Sequence, residues 1–577
     1  MRWIFCIAFA AAAGCNGASS APVIRLAVDA DRDGVVSTDE KSADALHRNE
    51  WSAQFGAVFL ANVDDDDGKH AMDATDQIVN GAADELDLAR VLIVPWPGAP
   101  ANASATFAAD MASAAQIHLF RHNADGTWTL WHGTETLSGA DLKAGVEFGV
   151  EAIDFAHPGW DGSTMLSFAV TDAAGKMLGA DQARLQVAPL LLQSNLGVAN
   201  NAFATSFSGD PDSMAFITDV QAAADQAKVP LTVIDGSPPY DDQWTQDIFE
   251  IGWAGMPKAG GLQTMYVAVR TPDPTRTAGD YTQNVLLGPD FGWVFKHTEP
   301  YNPPGDSGSL DSFGNLDSIP PYKTAQSDYP FGRVLIGSTP QRHMDDALRD
   351  FLNAQKVQGP NFYIDTTWLF VGHVDEVLSF AQAPTPRGFK LLIASPTRAR
   401  QVLTNLVAQN AANGDLAVFA GEQTYDSTGN NLISAQTTVN AMLADANLMT
   451  WNQKVQAKID VIRAALKTEI GLADDEIIDV PVLFEDEGGA QYLAHTPGIV
   501  NLLNLNGLVA PPKPHGPEVA SKDALEADFE SQVAALGLKI SWTEDWNLYH
   551  IQEGEVHCGT NVTRKVPAHA TWWEVQR

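Results

Sequence analysis

The sequence predicts a multidomain fold, β-rich first and mixed α/β afterwards, and three observations carry that expectation. The chain has 577 residues, too many for one ordinary hydrophobic core, so two or more domains are expected. Residues 22–190 read as short apolar or alternating runs cut at close intervals by turn residues, the pattern of an antiparallel sandwich. Beyond about residue 195, helical periodicity appears between short strands.

In chain order, the first element is a leader. Met1-Arg2 precedes an apolar run over residues 3–13 that is too short to span a bilayer and fits a signal-peptide core. Ala13-Gly14 before Cys15 resembles a lipobox, although Ala12 stands where such boxes usually carry leucine. Residues 1–15 are therefore expected to be removed up to a lipidated Cys15. That predicts an exported protein, either a periplasmic or cell-surface lipoprotein or a secreted one, with the membrane reached only through that lipid. Of three cysteines, Cys6 and Cys15 lie in this leader, which leaves Cys558 with no disulfide partner. A lone cysteine is either a buried small hydrophobe or a reactive thiol.

Strands are expected at residues 23–28, 57–61, 117–120, 148–153, 166–170 and 185–192. Two acidic loops interrupt them. In the first, Asp29, Asp31, Asp33, Gly34 and, at the twelfth position, Glu40 fit a calcium-loop spacing; the preceding segment reads as strand, so the loop belongs to a β-domain. The second gathers Asn62, Asp64, Asp66, Asp73, Asp76, Asp84 and Asp87, carboxylates that repel one another unless cations neutralise them. Hard oxygen donors without histidine or cysteine favour Ca2+ over zinc. With 35 Lys+Arg against 72 Asp+Glu the net charge is −37, which excludes nucleic acid as a partner and favours basic substrates and cations, or simply solubility.

In the second half, Met344, Ala347, Leu348, Phe351 and Leu352 mark one helix, and Val455, Ile459, Ile462, Leu466 and Ile470 a longer one ended by Gly471. Short strands are expected at 368–371, 377–380 and 390–393, and a long Pro/Gly-rich loop at 300–321. No short-period repeat is visible.

Three segments carry chemistry: Asp241-Asp242-Gln243-Trp244-Thr245-Gln246-Asp247, Gly372-His373-Val374-Asp375-Glu376 and Glu555-Val556-His557-Cys558-Gly559-Thr560-Asn561. A guanidinium is a poor electrophile, so its hydrolysis needs a strong nucleophile, and a thiolate is the best side chain for it. A histidine can protonate departing ammonia, and paired carboxylates can grip the planar cation. On a strand, His373 and Asp375 would face one side. Trp244 could stack on the arginine chain.

These strings resemble the signature segments of the peptidyl-arginine deiminase family. Gly288-Pro289-Asp290-Phe291-Gly292, Leu310-Asp311-Ser312-Phe313-Gly314-Asn315-Leu316 and Pro512-Lys513-Pro514-His515-Gly516-Pro517 match in the same order, so the resemblance covers nearly the whole chain after the leader. The resemblance implies an immunoglobulin-like β-sandwich over 22–190, followed over 191–577 by a catalytic five-bladed α/β propeller of the pentein, guanidino-group-modifying type. It implies that Asp247 and Asp375 bind guanidinium, that His373 is the acid/base, and that Cys558 forms a covalent thiouronium. It implies calcium ligands at Gln246, Glu250, Asp317 and the carbonyls of Phe313 and Leu316, and a second group of Asn62, Asp64, Asp66, Asp73, Asp76, Asp84, Asp87 and Asp290. Ile248 and Arg270 stand where the family has the acidic ligands of a further site, so that site is expected to be absent or rebuilt. Of the family's backbone-holding arginines only Arg276 is a candidate, and Gln552 replaces another at the rim.

The leading expectation is calcium-dependent deimination of arginine in proteins or peptides. The alternatives are hydrolysis of a small guanidine such as free arginine or agmatine, and a calcium-stabilised binding protein with a dead site. A homodimer is left open.

Overall fold

The computed structural model describes residues 22–303, 308–426, 429–567 and 570–575. The leader, with Cys6 and Cys15, lies outside the described residues.

Residues from Leu26 to Val187 build two five-stranded sheets. In spatial order the first runs Leu26–Val28, Ala89–Ile93, Val146–Ala152, Ile117–His122 and Trp128–Leu130, antiparallel throughout. The second runs Ala57–Phe59, Met177–Val187, Ser163–Thr171, Ser104–Ala109 and Thr136–Ser138, antiparallel except where Ala57–Phe59 joins Met177–Val187. The strand Ser163–Thr171 alternates half-buried and buried positions along its length, so one face turns to the core and the other to water. Phe59, Phe107, Phe148 and Phe168, all fully buried, fill the space between the sheets, and Phe155 meets Phe351 of the second half edge to face.

From Leu191 onward, five small sheets share one pattern. Each has a central strand antiparallel to one neighbour and parallel to the other: Gly261–Arg270, Ala199–Ser206, Arg333–Gly337, Phe389–Ser395 and Leu508–Ala510 are the five centres. Five such sheets are consistent with the five-bladed propeller expected from the sequence. Parallel neighbours need a crossover, and the helices Pro211–Ala227 and Ala446–Ile470 lie in two of them. The latter ends at Gly471 in the left-handed conformation (φ 73°), and Val455, Ile459, Ile462, Leu466 and Ile470 are its buried face. The other helix expected from the sequence spans Asp346–Ala354, capped by the Asp345 carboxylate on the N–H groups of Ala347 and Leu348.

Three expected elements differ. Residues 368–371 form a turn, joined to Tyr492 only by a bridge at Leu369, because Gly372 at φ +94° turns the chain at once. Within the expected loop 300–321 a strand Leu316–Ile319 forms; only four residues long, and set among Gly, Asp and Pro, it carries too little pattern to be seen. His373 and Asp375 lie in the turn before Leu378–Gln382 and not on a strand.

The sandwich is fastened to the rest. Gln355 and Gln358 accept from the N–H groups of Leu190 and Leu192, and Gln355 donates to Ala156 O. Asp64 accepts from the N–H of Asp290 at 2.9 Å. Gly34 (φ +81°) lets the first acidic loop lie on the hairpin tip at Lys258, where a Cβ would come within 1.9 Å of the Lys258 carbonyl carbon.

Candidate active site

The four residues expected to do the chemistry meet over Gly314. A Cβ built on Gly314 would lie 2.5 Å from His373 Nδ1, 3.0 Å from Asp375 Oδ2 and 3.2 Å from Asp247 Oδ1. The absent side chain therefore leaves a narrow gap, too tight for a Cβ, on which an imidazole and two carboxylates close in. Gly314 also fixes its walls: its N–H donates to Asp247 Oδ1 at 3.1 Å, and its carbonyl accepts from the Asp375 N–H at 3.2 Å. The Cys558 sulfur stands 3.5 Å from Asp375 Oδ2.

Asp247 comes from a one-turn helix, Thr245–Ile248, whose Gln246 N–H donates to the Cys558 carbonyl. His373 is oriented by Ser309: a carbonyl can only accept, so at 2.8 Å His373 Nε2 carries the proton and donates to Ser309 O. Nδ1 is left buried with no hydrogen-bond partner, 3.8 Å from Asp247 Oδ1. Asp375 Oδ1 is likewise buried and unpartnered. Orphaned buried polar atoms are costly and mark a place for a ligand.

Cys558 is 4% exposed. Burial, then the charges of Asp375 and Asp247, push its thiol well above the ordinary range. Its supports were not read from the sequence: Asn501 Nδ2 donates to the sulfur at 3.1 Å while Asn501 Oδ1 accepts from the N–H groups of His557 and Cys558. Nothing in the segment around Asn501 marks it out; only the tertiary contact does. Burial also raises Asp247, against the lowering fields of His373 and Arg276.

Trp244 is half-buried and leans on Gly554, where a Cβ would strike the indole at 2.2 Å. Arg276 does not reach outward for a substrate backbone. Its guanidinium is turned onto Asp242 (2.7 and 3.2 Å), Ser312 Oγ (2.6 Å) and Asp247 Oδ2 (3.4 Å), which spends its donors inside the protein.

The expected cation ligands fall into three places. Gln246, Glu250, Leu316 and Asp317 line a small cavity of about 40 Å3 together with His557 and Arg564. That is room enough for an ion or a water. Gln246 Nε2 donates to Glu250 at 2.8 Å and to Phe313 O at 3.4 Å; turning the amide over would present its oxygen instead. Burial raises Glu250 to about 7 and Asp317 to about 6.

In the second place, ligand oxygens of Asp64, Asp66 and Asp87 lie within 4.8 Å of one another, as do those of Asp65, Asp67 and Asp73. Asn62 Oδ1, Asp64 Oδ1 and Asp66 Oδ2 are buried without partners. Asp84 accepts from Asn62 and from the Asn80 N–H, and Gln263 Nε2 links Asp87 to Asp290 at 2.9 and 3.0 Å. Asp76 is only half-buried and pairs with Asn80. Burial lifts Asp73 to about 7, Asp84 to about 6 and Asp87 to about 8. An all-oxygen set with stranded buried oxygens fits a hard divalent cation.

In the third place Asp29, Asp31 and Asp33 come together, the latter two exposed. Glu40, the expected twelfth-position ligand, is exposed and stands apart from this group, and the buried carboxylate behind the loop is Asp44, which accepts from the N–H groups of Ala30 and Ser37.

The chain matches the model of the family "Protein-arginine deiminase (PAD)" over residues 177–574. It is 35% identical over 444 residues to protein-arginine deiminase type-4 of Homo sapiens, covering 75% of this chain and 63% of that protein. It is 32% identical over 553 residues to the type-4 enzyme of Rattus norvegicus, covering 90% of this chain and 78% of that one. Among solved structures, an agmatine deiminase of C. jejuni aligns with a TM-score of 0.35 at 10% identity, over 66% of this chain and 98% of that one. The chain belongs to the protein-arginine deiminase family, and its β plus α/β fold class is the one expected from the sequence. It spans less than two thirds of the length of the human type-4 relative.

Proposed function

We propose that this protein is a calcium-dependent hydrolase that converts arginine in proteins or peptides to citrulline and ammonia. The observation that carries the reading is the convergence of His373 Nδ1, Asp375 Oδ2 and Asp247 Oδ1 within 3.2 Å of one point above Gly314, beside the Cys558 thiol. Two carboxylates facing one small space suit a planar cation and would repel the developing oxyanion of a neutral amide.

The chemistry follows from these positions. A guanidinium between Asp247 and Asp375 cancels the two charges that hold the thiol proton, so deprotonation of Cys558 becomes favourable when substrate arrives. As the thiol proton passes to His373 Nδ1, the thiolate attacks the guanidinium carbon, and the bond from that carbon to one terminal nitrogen breaks as His373 returns the proton to the departing ammonia. His373 then takes a proton from water, which attacks the S-alkyl thiouronium and expels the thiolate, leaving citrulline. Trp244 walls the channel along the arginine chain.

Gln246, Glu250, Asp317 and the carbonyls of Phe313 and Leu316 would hold one calcium ion. Asn62, Asp64, Asp66, Asp73, Asp84, Asp87 and Asp290 would hold others between the sandwich and the catalytic part. A cation there neutralises carboxylates that otherwise destabilise the fold, and through Gln246 it steadies the neighbouring Asp247.

A second reading, hydrolysis of a small guanidine, gains support from Arg276: with its donors spent on Asp242, Asp247 and Ser312, it cannot also grip a substrate backbone. One assay separates the two. The chain lacking residues 1–15 is given an N-acylated arginine amide, free arginine or agmatine, each with calcium and with chelator. Calcium-dependent citrulline release from the blocked arginine is expected. Product only from free arginine or agmatine transfers the assignment to a small-guanidine hydrolase, and silence on all three makes the protein a calcium-stabilised binder. The leader and its lipid at Cys15 belong to this proposal as the route of export, and mass spectrometry of the mature N-terminus tests them.

A further inference from the structure

Arg270 closes the strand Gly261–Arg270 and is 3% exposed. Its guanidinium lies 4.3 Å over the ring of Phe295 and is surrounded by oxygens. Nε donates to Asp280 at 2.9 Å, Nη1 to the carbonyls of Thr271 and Asp273, both at 3.0 Å, and Nη2 to the carbonyl of Arg276 at 3.3 Å. Three of these four partners are main-chain groups of one short loop, residues 271–276. A buried charge held by so many acceptors is fixed, and it fixes the acceptors in turn. The loop has other ties as well: the Thr271 N–H donates to Ile248 O and Thr271 Oγ1 to Asp311 O, Asp273 Oδ1 accepts from the N–H and hydroxyl of Thr275, and Gly279, where a Cβ would crowd Arg270 at 3.1 Å, closes the far end on Arg276 O.

The loop ends in Arg276, which is bidentate on Asp242 and touches Asp247 and Ser312. Asp247 therefore has one oxygen steadied by the Gly314 N–H and the other by Arg276. We propose that Arg270 is a positioning residue for substrate binding: it gathers the carbonyls of residues 271–276 around an internal cation, and so sets Arg276 where it holds the Asp247 carboxylate toward the space above Gly314. This rests on the reading that Asp247 receives the guanidinium. Arg270 itself touches neither Asp247 nor that space, so its effect must pass through Arg276.

A relay of this kind predicts non-additivity, which a merely stabilising residue does not. Citrulline release from an N-acylated arginine amide is measured in calcium for wild type, Arg270→Met, Arg276→Met and the double variant, with a melting curve for each. Arg270→Met is expected to raise KM at least tenfold while kcat falls less than threefold, and the double variant is expected to match Arg276→Met within twofold. Arg270→Lys, which keeps the charge but cannot reach all four acceptors, is expected to lie between wild type and Arg270→Met; it replaces Arg270→Met in the cycle if that variant does not fold. An unchanged KM in the folded Arg270 variant, or two effects that multiply in the double variant, overturns the proposal. A silent wild type overturns instead the reading of the site on which it rests.

Discussion

His557 Nδ1 lies 2.9 Å from Asp375 Oδ2, the same oxygen that faces the Cys558 sulfur at 3.5 Å. Burial alone would lower the imidazole, but the hydrogen bond to Asp375 and the charges of Asp375, Asp317 and Glu250 outweigh it and hold His557 above its ordinary value. One oxygen of Asp375 is thus shared between the His557 imidazole and the Cys558 sulfur, while Oδ1 is buried and unpartnered. Asp375→Asn keeps this shape and removes the charge. Its kcat/KM for a blocked arginine is expected to fall at least about 100-fold, equivalent to about 2.7 kcal/mol of transition-state binding. The melting temperature is expected to change little. Ordinary kinetics in this variant would remove Asp375 from the guanidinium site.

Cys558→Ala removes the sulfur proposed to attack. Turnover is expected to fall to background, a loss of at least about 10^4. Because the sulfur is small and its cavity is bounded by Asn501 and Asp375, the fold should survive, and the melting curve checks this. Citrulline formation by this variant would sink the nucleophile assignment.

Gly314→Ala tests the space itself. Its methyl would stand 2.5 Å from His373 Nδ1, closer than real contacts allow, and 3.0 Å from Asp375 Oδ2, so the groups proposed to meet the guanidinium would have to shift. The backbone at Gly314 has no positive φ, so alanine adds no conformational strain. Activity is expected to drop at least about 100-fold, mostly in KM. Titration with a guanidine ligand by calorimetry should show the same loss, and unimpaired binding would place the substrate elsewhere.

The sequence revealed these residues unevenly, for physical reasons. Asp247, His373, Asp375 and Cys558 sit in segments dense with chemistry-bearing side chains, and their family order identifies them. Gly314 shows in the sequence only as part of a motif, because a glycine's contribution is the close approach it allows, which no residue pattern reports. Asn501 and Ser309 act through single tertiary hydrogen bonds and have no local signature. The five sheets stayed invisible as a repeat because their central strands, from Leu508–Ala510 to Gly261–Arg270, differ in length from 3 to 10 residues and the connections between them differ still more. The long helix was legible because seven of its buried residues keep helical spacing over Ala446–Ile470. Arg276 was expected at the substrate and is turned inward, since Asp242 and Ser312 offer it closer partners than any rim position would.

The last prediction concerns the cation-free protein and its pH dependence. Unfolded carboxylates titrate near 4, whereas here burial lifts Asp73 and Glu250 to about 7, Asp84 and Asp317 to about 6, and Asp87 to about 8. Between those limits the folded, cation-free chain binds more protons than the unfolded chain, so the slope of unfolding free energy with pH is negative. The stability these groups allow is fully present below about pH 4 and is lost as pH rises through about 6 to 8. In chelator, therefore, the melting temperature should fall as pH is raised from about 5.5 to 8, opposite to the ordinary gain of a paired carboxylate. Calcium is expected to reverse the sign: it would bind the ionised ligands, and at 100 times its dissociation constant each site would add about 2.7 kcal/mol. Thermal scans at several pH values, with calcium and with chelator, should give curves that diverge as pH rises, by several degrees at pH 8. Parallel curves would mean that these carboxylates hold no cation, and the calcium assignments would fall with them.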